Sequence, residues 1–142
     1  MAEQLQPITV TAATLTLDPD VHHGNVVNIN LAATQTTTLP ASAGNGQCYT
    51  IFIQTTKTGN QIIQVANATD VIYGGVAIST DIAGVTMLTA STTDTITMNG
   101  STTGGIFGSW VRLTDVASGY WMLEGFLAST GTEATPFSAA VS

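Results

Sequence analysis

The sequence predicts an all-β protein, a sandwich, jelly roll or barrel, and three observations predict it. Apolar and polar residues alternate with a period of two in most ordered-looking runs, and Thr, Val, Ile and aromatics fill those runs. Turn-forming pairs interrupt the runs at short intervals, from Asp18-Pro19-Asp20 to Ser118-Gly119. No stretch carries a helical stripe of apolar residues, so strands account for the pattern.

Taken in order, the first twenty residues form a Thr- and Ala-rich extended segment, with ITV at 8–10 and LTL at 15–17, closed by the rigid Asp18-Pro19-Asp20 turn. This segment is either the first strand of the body or an arm that pairs with another subunit; residues 21–142 form the body. VNINL at 27–31 and YTIFI at 49–53 alternate as half-buried strands. Leu39-Pro40, Asn45-Gly46, Thr58-Gly59-Asn60 and Gly74-Gly75 mark the turns between elements. ITM at 96–98 leads into Asn99-Gly100 and Gly104-Gly105, two bends on a Thr-bearing connection that we expect to lie against a neighbouring subunit. WVRLTDV at 110–116 then pairs with the segment after Ala117-Ser118-Gly119, read as a three-residue loop in which Gly119 takes the left-handed conformation. That register sets Thr114 opposite Met122 and Arg112 opposite Glu124, and sends Val111, Leu113, Trp121 and Leu123 to the core. A slip of one residue would put Trp121 and Leu123 into water, so the apolar pattern holds the register more firmly than the ion pair. The tail, STGTEATPFSAAVS, reads as a surface strand or loose end.

Composition narrows the function. The chain has 142 residues, 44% hydrophobic, with only two basic residues (Lys57 and Arg112) against nine acidic ones. A net charge of -7 without a basic patch argues against nucleic acid and against anionic membrane surfaces. No apolar run approaches the ~20 residues of a transmembrane helix, and the first residues do not read as a signal peptide. The single Cys48, inside CYTIFI, is expected to be a buried, inert thiol. The sequons at Asn67 and Asn99 are what chance gives in a Thr-rich chain.

Candidate chemistry is sparse. His22-His23 is the one cluster of metal-ligand type, but adjacent side chains on an extended segment point apart, and no other His exists in the chain. The bland reading is a turn followed by a strand start; the sharper one is a His from each subunit on a three-fold axis. G-x-S-x-G is absent. The acids are scattered, with Asp18, Asp20, Asp70 and Asp81 in turns and Asp94 and Asp115 near strand ends. Gly100 and Gly105 have phosphate-loop spacing, yet neither the Lys nor the helix that such a loop needs follows them. The expectation is a protein that is not an enzyme, with no cofactor and no metal.

Three stretches in order carry a resemblance: HHGNVVNINLAATQTTTLPASAGNG at 22–46, YTIFI at 49–53, and DTITMNGSTTGGIFGSWVRLTDVASGYWMLEG at 94–125, with GTEATPF at 131–137. They resemble the small all-β virion proteins of tailed bacteriophages, in particular capsid decoration (cement) proteins and head-fibre proteins. In that group the His-x-Gly is often followed by Arg, where this chain has Asn25. The resemblance implies a β-sandwich or jelly-roll-like subunit, commonly a homotrimer, on the outer capsid surface of the virion. There it bridges neighbouring major capsid proteins and braces the shell. Leu5, Pro7, Ile8 and Val10 are then the expected contacts with the capsid or a sister subunit. A head- or tail-fibre module is the alternative, although no internal repeat suggests a shaft. A carbohydrate-binding sandwich is a third reading, with Tyr73 or Tyr120 stacking on sugar rings.

Overall fold

The computed structural model describes residues 6–142, and among them strands dominate. Two short strands, β1 (Ile8–Val10) and β2 (Thr14–Thr16), precede a single helical turn, α1 (Pro19–His22). Five strands follow: β3 (Val26–Ile29), β4 (Gln35–Thr38), β5 (Cys48–Ile53), β6 (Gln61–Gln64) and β7 (Val71–Ser79). The rest are β8 (Gly84–Leu88), β9 (Thr95–Met98), β10 (Trp110–Ala117), β11 (Tyr120–Ala128) and β12 (Phe137–Ser138). The turn expected at Asp18-Pro19-Asp20 is thus a helix start. Asp18 caps it by accepting from the Asp20 N–H at 2.9 Å, and Pro19 sits in the first turn, where its missing N–H costs nothing.

The chain builds two mixed sheets, one of seven strands ordered β1-β3-β5-β10-β11-β7-β8 and one of five ordered β12-β9-β6-β4-β2. Successive strands from β1 to β6 alternate between the sheets. Each return therefore runs in the same direction as the last, so β1, β3 and β5 pair parallel, as do β2, β4 and β6. A parallel pair needs a crossover connection, and here the crossover is itself a strand of the other sheet. Both sheets feed one core, with Val27, Ile29, Ile51, Ile53, Val111 and Trp121 from the larger and Ile63, Ile96 and Met98 from the smaller. Tyr49 and Trp121 meet in it with ring centroids 6.0 Å apart.

The hairpin of β10 and β11 has the expected register, Arg112 opposite Glu124 and Thr114 opposite Met122, with Val111, Leu113, Trp121 and Leu123 all buried. One detail differs. Ala117 pairs with Tyr120, so the turn is Ser118-Gly119 and the extra residue is a bulge at Val116. The Arg112–Glu124 pair, 3.0 Å apart, is half exposed and contributes only ~0.2–1 kcal/mol. Apolar burial therefore holds this register.

Cys48 is half-buried rather than buried, because strand alternation turns Tyr49 and Ile51 inward and leaves Cys48 on the outer face. The segment after Asn99 lies against its own chain. A Cβ on Gly100 would come within 1.9 Å of the Lys57 carbonyl oxygen, and the Lys57 N–H donates to Gly105 at 2.9 Å. Lys57 itself is buried, its ammonium donating to the Leu31 and Ala33 carbonyls at 2.6 Å each. With no carboxylate partner for that ammonium among the described residues, burial lowers its pKa below the ordinary lysine value.

Candidate functional site

The most elaborated polar region forms where the β10–β11 hairpin meets residues 42–45 and the approach to β7. Asp115 is central to it. Strand alternation turns its side chain inward opposite Trp121, where a carboxylate survives only if donors surround it. Residues 42–45 supply them. Ser42 Oγ donates to Asp115 Oδ1 at 2.7 Å, the Gly44 N–H to the same oxygen at 2.9 Å, and the Ala43 N–H to Oδ2 at 2.8 Å. Burial pushes the Asp115 carboxyl up, but the donors at Ala43, Ser42, Gly44 and Asn45 outweigh it and hold the group below the usual carboxylate value.

Ser42 passes this order onward. Its Oγ accepts from the Gly119 and Tyr120 N–H groups at 3.0 and 3.2 Å, fixing the first residue of β11. Its own N–H donates to Asp70 Oδ2 at 2.8 Å. Asp70 is held from the other side by Asn67, whose Nδ2 donates to the same oxygen at 3.1 Å and whose Oδ1 accepts from the Thr69 and Asp70 N–H groups. Asp70 is 4% exposed. Its Oδ1 has no hydrogen-bond partner among the described residues, and it is not sealed from solvent.

These groups border an open groove of about 570 Å³ lined by Ser42, Asp70, Tyr73, Ser91, Ser118 and Tyr120, among others. Val71 pairs with Tyr120 and Tyr73 with Met122 across the parallel β7–β11 ladder, which brings the two tyrosines together. Their ring centroids lie 5.4 Å apart with planes 31° from parallel, and the two residues are 40% and 43% exposed.

The other singled-out residues lie elsewhere. His22 is buried and its Nδ1 accepts from the Asp18 N–H at 2.9 Å; His23 Nδ1 accepts from the Cys48 N–H at 3.0 Å. Each imidazole thus has one nitrogen engaged by the backbone. No group of three or more potential metal ligands is found among the described residues. Asp94 Oδ1 accepts from Thr95 Oγ1 and from the Ala140 and Val141 N–H groups, tying the C-terminal segment to β9. Of the expected contact residues, Pro7 is exposed, Ile8 is half-buried on edge strand β1, and Val10 is packed in the core; Leu5 lies outside the described residues.

Sequence reasoning named Tyr73 and Tyr120 separately but missed Asp70 and Asp115 as organisers. The Asn67-Ala68-Thr69-Asp70 run carried a local signal, since Asn readily bonds the backbone two residues on. The alternation that turns Val111 and Leu113 inward also puts Asp115 on the core face, but its donors come from a distant loop that no local pattern identifies. Comparison with known protein families, with curated proteins and with solved structures finds no match for this chain.

Proposed function

We propose that the chain is a structural protein of a tailed-phage virion, a capsid decoration protein that bridges major capsid proteins on the outer head surface as a homotrimer. The sequence resemblance supplies the class. One structural observation supports an assembly role: β8 is an edge strand of the larger sheet, apolar and open to solvent along most of its length. Val85 and Leu88 are 43% and 74% exposed, and Ile82, at the tip of the β7–β8 hairpin, is 92% exposed. An edge of this kind attracts pairing partners, and proteins that stay monomeric usually blunt it with charge, a bulge or a covering element. Here the nearest charge is Asp81, in the turn before the strand.

In this reading the two sheets are the layers of a β-sandwich, which their shared core supports. A jelly-roll-like winding belongs to the same proposal, with the parallel ladders as its departure from an antiparallel roll. Because β1 and β2 pair within the chain's own sheets and Val10 faces its core, the proposed contact falls to Leu5, Pro7 and the outer side of Ile8, at the β1 edge of the larger sheet. Light scattering is expected to show a stable trimer that binds expanded, undecorated heads, and Leu88→Lys should weaken one or both associations. A monomer that ignores such heads would overturn the proposal, and microscopy of intact virions separates a shell position from a fibre.

A further inference from the structure

We propose that the groove at Tyr73, Tyr120 and Asp70 binds a neutral saccharide. A sugar ring offers a face of C–H bonds and a rim of hydroxyls. A site for it needs an exposed aromatic surface beside fixed hydrogen-bonding groups, and both are present. The paired tyrosine rings, 5.4 Å apart and 31° from parallel, lie against each other, so each steadies the other while both residues stay partly open to solvent and offer aromatic surface to a ligand. Beside them Asp70, buried but part of the groove lining, keeps an unpartnered Oδ1, a strong acceptor for a ligand hydroxyl that reaches it. The hydroxyl of Tyr120 likewise has no partner among the described residues, while that of Tyr73 makes only a 3.5 Å contact to the Ser91 carbonyl.

The groups are already held in place. Asn67 and the Ser42 N–H clamp the other oxygen of Asp70, and Ser42 Oγ, itself anchored on Asp115, holds the Tyr120 backbone. Binding therefore requires little ordering of the protein, which is where affinity for small ligands is commonly lost. The space, about 570 Å³, falls within the ~300–1,000 Å³ of ordinary small-molecule sites.

Charge and shape select among ligands. The groove contains Asp70 and no basic residue, which disfavours phosphates and acidic sugars. An organic cation is best held when several aromatic faces surround it, and the groove lining supplies two aromatic residues, Tyr73 and Tyr120, that lie against each other. A neutral sugar satisfies both conditions.

The test is a glycan array of neutral, acidic and amine-bearing oligosaccharides probed with the full chain, followed by calorimetry with a retained neutral glycan. Neutral glycans should be retained. Tyr73→Ala and Tyr120→Ala should each lower affinity about tenfold, the scale of one lost stacking contact. Asp70→Asn should lower it as well, while Leu88→Lys, on β8, should leave it unchanged, so that a failure of the capsid proposal is read separately. Because Asp70 also anchors Ser42, the two tyrosine variants, whose rings are exposed, are the decisive ones, with circular dichroism confirming their fold. Retention of no neutral glycan, retention of amines alone, or neutral-glycan affinity that survives both tyrosine variants would overturn the proposal.

Discussion

Replacing Asp115 with Ala tests whether one buried carboxylate locks the β10–β11 hairpin to residues 42–45. The wild-type side chain is 1% exposed and accepts three short hydrogen bonds, from Ser42 Oγ, Ala43 N–H and Gly44 N–H at 2.7–2.9 Å, and a long one from Asn45 at 3.5 Å. Bonds to a charged group are worth ~1.5–3 kcal/mol each, which for three sets an upper bound of roughly 5–9 kcal/mol. Two corrections lower it. Ala43 and Gly44 are exposed residues whose freed N–H groups regain water, and the variant no longer has a carboxylate to desolvate. A loss of about 2–4 kcal/mol remains. Urea unfolding reads this as a lower midpoint at unchanged slope, and amide exchange should accelerate at residues 43 and 44. Asp115→Asn should recover only part, since it places an NH2 where one carboxylate oxygen faced an N–H. The pH dependence supplies a second check. The folded carboxyl lies below its ordinary 3.8, so its contribution is present above that pH and is lost as pH falls through the folded value. Asp115→Ala should flatten that acid slope. A variant within ~0.5 kcal/mol of wild type, the range of an ordinary surface change, or one that keeps the full acid slope, would refute the assignment.

Two further outcomes follow from packing and burial. Gly100→Ala should cost about 2–4 kcal/mol, because the residue has φ +78° and its new methyl would meet the Lys57 carbonyl oxygen at 1.9 Å; Gly46→Ala, at φ +80° with open space around it, should cost only ~1–2 kcal/mol, and equal losses in thermal melts would contradict the close approach. Tyr49, pushed up to about 12 by burial and then by Asp18, Asp115 and Cys48, stabilises the fold below the ordinary tyrosine value of 10 and loses that contribution between 10 and about 12. An absorbance titration should therefore find one of the three tyrosines un-ionised well past pH 10 while the chain stays folded.

Legibility in the sequence followed the range of the interaction. Alternation within a strand is local, so WVRLTDV and the segment after Gly119 disclosed which residues face inward and which cross-strand pairs form. The same rule fails in β4, where QTTT offers no apolar residue to mark a face. Gln35 and Thr37 nonetheless point into the core, where Gln35 bonds across the ladder to Gln61. The helical turn at Pro19 is too short to show a periodic stripe; the Asp-Pro pair signalled a change of direction, and its kind depended on Asp18 reaching the Asp20 N–H.

By itself, then, the sequence determined the strand-rich class, the two-fold alternation, the acidic and cation-poor composition and the register of one hairpin, because each depends on composition or on neighbours along the chain. Only the tertiary structure decided the parallel ladders β1-β3-β5 and β2-β4-β6, because each strand's partner is reached only after the chain has visited the other sheet. It alone seated the loop after Asn99 on Lys57, and it alone brought Tyr73, Asp70 and Tyr120 to one groove. Such juxtapositions arise when the shared core forms and apolar burial draws distant segments together; no local spacing carries that information.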